Sequence, residues 1–111
     1  MSVKLADFKQ AAIVISLRSC RLFAGLPNLD LQNIATCCAV KNLEKADYLF
    51  HEGEPAQGFY IVRRGAVNVH RVNAAGKEQV IHVFRAGDSF AEAMLATPAG
   101  YPADARALEP T

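Results

Sequence analysis

The sequence predicts a mainly β fold, an antiparallel β-roll or jelly roll carrying short N-terminal helices. Three observations predict it. Glycines recur at positions 53, 65, 76, 87 and 100, a spacing that suits turns between short strands. The runs between them are rich in β-branched and aromatic residues, and short strands punctuated by Gly-containing turns are the pattern of sandwiches and rolls. A helical hydrophobic period is confined to the stretch before Val40. With 111 residues, 51% of them hydrophobic, the chain can bury one core and is too short for two. It is therefore read as one structural domain, with N-terminal helices over 1–40 packing on a β-roll over 41–111.

Between Val3 and Arg18, the residues Leu5, Phe8, Ala12 and Ile15 recur at spacings of three and four, as on one helix face. Leu26-Pro27-Asn28 then breaks the helix and supplies a cap, and Leu31, Ile34, Ala35 and Cys38 form the stripe of a second helix. Cys37 and Cys38 are read as core packing, with Cys38 pointing inward. After Val40 the strands are expected at 48–50, 59–62, 66–70 and 80–84, and Asn73 to Lys77 reads as a hairpin tip. A further strand is expected to begin at Tyr101. Its alternation puts Tyr101, Ala103 and Ala105 on one face and Asp104 and Arg106 on the other.

Twelve basic and eleven acidic residues leave a net charge of +1, which gives no electrostatic footprint for nucleic acid. Three cysteines do not make a disulfide framework, and reduced thiols in a cytoplasmic setting are expected. The apolar stretch from Ala11 to Leu17 falls far below the roughly 20 residues that span a bilayer, so no membrane partner is expected. An enzyme of the jelly-roll kind needs His and carboxylate ligands clustered on adjacent strands. His82 and Glu92 alone do not supply them, so neither catalysis nor a metal site is expected.

The order of helices, the run FHEGEPAQGFYIVRRGAVNVHR, a hairpin and a Gly87-Asp88-x-Phe90-x-Glu92 turn resembles the sensor domain of CRP/FNR-type bacterial transcription regulators. The resemblance runs from about Leu22 to Thr111. Phe90-Ala91-Glu92-Ala93-Met94, followed by Tyr101 and Ala103, looks most like the dissimilatory nitrate respiration regulators. It implies a cyclic-nucleotide-binding-like roll, with a ligand pocket at Phe90, Ala91, Glu92, Tyr101, Ala103 and His82. In nucleotide-binding members a Gly-Glu pair and, some ten residues on, an Arg-Ser pair hold the ribose and the cyclic phosphate. Here Glu92 remains, Ala91 stands in the glycine slot, and Tyr101 and Pro102 stand where Arg and Ser would be.

Arg106 has the wrong parity to replace that guanidinium, and Asp104 would repel a phosphate. Binding of cyclic AMP is therefore not expected; Tyr101 is read as a plug in the space a ligand would take rather than a hydroxyl donor to it, and Glu92 as a structural carboxylate capping the short turn at Phe90-Ala91 rather than a surviving ribose contact. His51, beside the Glu52-Gly53-Glu54 turn, is expected in solvent. His70 alternates with Asn68 on the apparent polar side of its strand and is expected at the surface, whereas His82 shares a face with Val80 and Phe84 and is expected inside the roll or at its rim. Cys20 stands where the nitrate respiration regulators carry histidines proposed to act near haem. The resemblance thus makes Cys20 and His82 candidate haem ligands, beside the plainer reading of both as packing residues. Arg63, Arg64 and Arg71 read as solvated strand ends.

The expected function is that of a signal-sensing domain answering to a small-molecule or gas effector, with haem as the one cofactor suggested. A cyclic-nucleotide-binding regulatory domain and a ligand-free structural or dimerisation module are the alternatives. The resemblance further implies a dimerisation helix and a helix-turn-helix, neither of which this sequence contains, so DNA contact is expected only through such a domain. The roll's open strand edge predicts a homodimer or swapped assembly.

Overall fold

The computed structural model describes residues 5–91 and 99–111. The chain divides into two compact units, Met1–Lys41 and Asn42–Thr111.

The first unit is a helical pair, α1 (Leu5–Ser19) and α2 (Asn28–Ala35). The face that α1 buries differs from the expected one. Phe8 and Ile15 are 63% and 66% exposed, while Leu17 and the following Cys20 are covered. Ile13 and Val14 are half-buried beside Leu17, so the inner stripe runs through 13, 14 and 17. An unbroken apolar run from Ala11 to Ile15 fits two helical faces equally well, and period alone does not choose between them. In α2, Leu31 and Ala35 are buried as expected. The cap is not: Pro27 takes the N-cap position without a side-chain cap, and the Asn28 side-chain oxygen instead accepts the Arg18 guanidinium at 2.6 Å. Cys37 and Cys38 are both exposed, because α2 ends at Ala35 and its stripe stops one turn short of Cys38.

The second unit is β. Strands β1 (Tyr48–Phe50), β6 (Asp104–Ala107), β3 (Ala66–Val72) and β4 (Glu78–Arg85) form one sheet in that spatial order, and β2 (Tyr60–Ile61) pairs with β5 (Ser89–Phe90) in a second. Every pairing is antiparallel. The β3–β4 hairpin closes at the expected tip, where Asn73 Oδ1 accepts the backbone N–H groups of Ala75 and Lys77 at 2.9 Å each. All five punctuating glycines take positive φ, between 80° and 93°. Together these features give the antiparallel roll that the turn spacing predicts.

The core of this unit comprises Phe50, Val62, Val67, Phe90, Tyr101 and Ala105, with Leu49, Tyr60, Val69 and Phe84 packed against it. The last strand begins at Asp104 rather than Tyr101, yet the alternation extends back through the residues before it. Tyr101, Ala103, Ala105 and Ala107 are each at most 3% exposed, and Asp104 and Arg106 face the other way. Alanines at three of these positions keep this inner face shallow, leaving room for the aromatic rings opposite.

Candidate functional site

The site is built around Tyr101, and its position is fixed by backbone before its side chain makes a contact. Tyr101 N–H donates to the Glu54 carbonyl at 3.0 Å, and Gly53 N–H donates to the Tyr101 carbonyl at 2.8 Å. The two turns approach so closely that a Cβ on Gly100, at φ +81°, would lie 2.5 Å from the Glu54 carbonyl oxygen. Only glycine permits both the conformation and the approach. Zipped down in this way, Tyr101 has its ring directed into the core.

There the ring stacks on Phe50, with centroids 3.8 Å apart and planes within 10°. Tyr60 lies at 6.5 Å, and Phe90 reaches the group through Tyr60 at 5.5 Å and Phe84 at 4.7 Å. The phenol is as well placed as the ring. Its oxygen donates to the Gly58 carbonyl at 3.1 Å, accepts the Gln57 N–H at 3.3 Å and meets the Tyr60 hydroxyl at 3.3 Å. A buried hydroxyl with all its capacity used is a stable fixture. Burial, and then the Tyr101 hydroxyl, push the Tyr60 phenol up to about 12. This interior is neutral, aromatic and closed by its own hydrogen bonds.

Of the other expected pocket residues, Phe90 is buried and ends β5, and Ala103 lies beneath the same inner face at 1% exposure. Ala91 follows with φ +71°, the left-handed conformation in which glycine is at ease and an L side chain is strained. Glu92, together with Ala93 and Met94, lies outside the described residues.

His82 is exposed on β4 with its ring 4.5 Å from Phe84; of the two expected positions, inside the roll or at its rim, it does not take the interior one. A register shift on β4 leaves His82 on the core side, opposite Val69 and on the same face as Phe84, but moves Val80 off that face. His70 pairs with Val80 and Val69 with His82, so Ile81 is an extra residue between them. His82 and Phe84 do share a face, but Val80 lies on the opposite one, so the apolar run that suggested burial is split. Cys20 is 1% exposed in the helical unit. An axial haem ligand must present its donor atom to a cavity, and neither a covered thiol nor a solvated imidazole on an edge strand does so. The two residues do not fit a haem site.

His70 is the larger correction. Expected at the surface, its side chain is fully buried. β3 is flanked by β6 and β4, and their long outward side chains, with Tyr48 of β1 at 6.2 Å, roof over the short outer face of the central strand. Underneath, Nδ1 lies 3.1 Å from the Asn68 side-chain oxygen. Nε2 has no hydrogen-bond partner, with Glu78 at 3.6 Å and Asp104 at 3.8 Å. Arg106 completes the roof, donating to both Glu78 carboxylate oxygens at 2.6 and 3.0 Å and to the Tyr48 hydroxyl at 3.2 Å. That fork holds the Glu78 carboxyl below its ordinary range. Asp104 Oδ1 accepts the Glu52 backbone N–H. Simple alternation could not find this cluster, since it depends on strand order. Among the described residues, no group of three or more His, Cys, Asp or Glu has the geometry to hold a metal ion, and no helix is long and apolar enough to cross a membrane.

His51 is exposed, stacked on Tyr48 at 4.4 Å. Arg63 and Arg64 are exposed, and Arg71 pairs with Glu52 at 3.2 Å. Although Cys38 is exposed, partial desolvation and then the neighbouring Cys37 raise its thiol.

The family described as cyclic nucleotide-binding domain matches residues 40–111. Over 80 residues the chain is 34% identical to cGMP-dependent protein kinase 2 of Homo sapiens, covering 71% of this chain and 10% of the kinase. It spans about a tenth of the length of the curated relatives it matches. Among solved structures, it is similar to the sensor domain of the transcriptional regulator DNR from Pseudomonas aeruginosa, at 34% identity and a TM-score of 0.81, covering 91% of this chain and 68% of that one. The N-terminal domain of a transcriptional regulator from Streptomyces coelicolor A3(2) aligns at 30% identity and a TM-score of 0.77, covering 86% and 66% of the two chains. The regulatory domain of Toxoplasma gondii PKA, crystallised with cAMP, aligns at 26% identity and a TM-score of 0.78, covering 98% and 41%.

Proposed function

Because the chain belongs to the cyclic nucleotide-binding domain family, we propose that it is the non-catalytic, signal-sensing module of a CRP/FNR-type transcription regulator of the nitrate respiration branch, and that its effector is a small uncharged molecule. The single observation that carries the reading is Tyr101. Its ring is stacked on Phe50 and its hydroxyl is shared among Gly58, Gln57 and Tyr60, at the position that the resemblance matches to the phosphate-binding arginine of nucleotide-binding members. Arg106 does not compensate, since its guanidinium is committed to Glu78 on the opposite face of the sheet. Burying a phosphate against this neutral interior without a counter-charge costs several kcal/mol, of the order found for any unpaired buried ion. The similarity to the Pseudomonas sensor domain, of which this chain covers 68%, supports the regulator context. DNA contact would belong to another domain of such a regulator.

A second reading, retained cyclic-nucleotide binding, is favoured by the family match over 40–111 and by the 34% identity to the cGMP-dependent kinase. Titration calorimetry with cyclic AMP and cyclic GMP separates the two. The proposal expects no heat of binding at millimolar nucleotide, and saturable micromolar binding of either one overturns it. The haem version of a gas sensor rests on Cys20 and His82, whose burial and exposure give it no support. A Soret band that persists after gel filtration, and is lost in His82→Ala or Cys20→Ala, would reinstate it.

A further inference from the structure

β4 is the outer strand of its sheet, and among the described residues no strand pairs with its free side. Natural edges are usually blunted by proline, charge (lysine above all) or a bulge; Glu78 to Arg85 contains neither proline nor lysine, and its charges stand only at the two ends, with one bulge at Ile81 between them. It also leaves Val80 58% and Ile81 56% exposed.

The pleat of this strand is self-complementary. The even residues of β3 lie on one face and oppose Arg85, Val83, Val80 and Glu78, while the odd residues oppose Phe84, His82 and Gln79. Ile81 is the extra residue. Read by pleat position, β4 runs Glu78, Gln79, Val80, His82, Val83, Phe84, Arg85, with His82 at its centre. Were Ile81 an ordinary pleated residue, Glu78 and Arg85 would fall on opposite faces. With it as the extra residue they share one, as do Val80 and Val83, and as do Gln79 and Phe84.

We propose that the free side of β4 is an interface for a second copy of this chain, with the two β4 strands antiparallel about a two-fold axis through His82. In that register Glu78 meets Arg85 of the second copy at both ends, Val80 meets Val83, and His82 meets His82. An isologous contact requires this kind of self-complementarity, and opposite charges directly across an antiparallel pair are favourable. The groups at the ends are available. The Arg85 guanidinium has no partner among the described residues. Glu78, its side chain 40% exposed, keeps lone pairs beyond those used by Arg106. The pairing would join two four-stranded sheets into one of eight, through a contact small enough to be reversible.

Sedimentation velocity on the full chain, from about 10 µM to about 1 mM, tests this. The wild type is expected to shift from monomer toward dimer across that range. Arg85→Glu, which sets Glu against Glu at both ends, is expected to weaken association about tenfold. An equimolar mixture of Arg85→Glu with Glu78→Arg restores unlike pairs at both ends and is expected to associate like the wild type. A wild type that stays monomeric throughout, or an Arg85→Glu variant that associates unchanged, overturns the proposal. Glu78→Arg also loses its bond to Arg106, so its circular dichroism is checked first. If it does not fold, the decision passes to His82→Cys and Gln79→Cys in a Cys37→Ser, Cys38→Ser background. Oxidised glutathione should link His82→Cys into a covalent dimer and leave Gln79→Cys, which faces Phe84, unlinked; equal linking of both overturns the two-fold register.

Discussion

Ala91 holds φ at +71° directly after the last residue of β5. A non-glycine residue in this region carries roughly 1–2 kcal/mol of strain, which the surrounding structure must offset. Replacing it with glycine removes the strain but gives the unfolded chain more freedom, at about 0.5–1 kcal/mol. Ala91→Gly is therefore expected to stabilise the domain by about 0.5–1 kcal/mol, read as a higher urea midpoint at unchanged slope; a lower midpoint would show that the methyl makes a contact worth more than the strain.

The Tyr60 phenol makes a second prediction at this scale. Burial and the Tyr101 hydroxyl raise it to about 12, against about 10 in an unfolded chain. A group raised on folding contributes stability that is fully present below the unfolded value and is lost as pH rises toward the folded one. Unfolding should thus become easier between about pH 10 and pH 12. Tyr60→Phe, which cannot ionise, should flatten the urea midpoint against pH in that window, and an equally steep fall in the variant would assign the effect elsewhere.

At the scale of elements, the informative strand is β3, whose outward side carries Asn68 at 7% exposure and His70 at 0%. Their bond at 3.1 Å leaves His70 Nε2 without a hydrogen-bond partner. Removing one member of a buried polar pair strands the other, at about 1–3 kcal/mol, whereas replacing both with apolar groups of similar shape is close to neutral. His70→Leu is expected to destabilise by about that amount, and adding Asn68→Val should recover at least half of it by thermal unfolding. Additive losses would mean that the two residues do not act as a pair.

The same strand shows where sequence pattern stops being informative. Glycine spacing and β-branched runs were enough to find β1 to β4 and the hairpin tip, though not the two-residue β5 inside the stretch read as a turn, and alternation from Tyr101 onward was enough to separate the alanine face from Arg106. All of these depend on neighbours along one strand. His70 is buried by residues from three other strands, Tyr48, Glu78 and Asp104, and nothing local to Asn68-Val69-His70 signals which strands will flank it. Val80 does not share the face of His82 because one extra residue at Ile81 breaks the count of two, and no residue type marks that bulge. In α1 the failure is different: a helix apolar on most sides has no single legible stripe until its packing partner is known.

For the whole molecule, the family match over 40–111 and the closed aromatic interior around Tyr101 make opposing demands on one pocket. If Tyr101 occupies the place of a phosphate-binding guanidinium, the resemblance names what would have to be restored: Ala91→Gly, Tyr101→Arg and Pro102→Ser together. Without ligand, this triple variant exchanges a satisfied hydroxyl stacked on Phe50 for a guanidinium inside an aromatic core, and its melting temperature should fall well below the wild type, because burying an unpaired charge is unfavourable. Cyclic AMP would then supply the missing anion. A ligand that binds only the folded state adds about 2.7 kcal/mol at a hundred times its dissociation constant, and each kcal/mol moves the melting point of a domain this size by roughly 4–8 °C. Differential scanning calorimetry with millimolar cyclic AMP should accordingly raise the triple variant by about 10 °C or more and leave the wild type unmoved. The reverse result, a shift in the wild type and none in the variant, would mean that Tyr101 is a ligand contact rather than the occupant of the ligand's place.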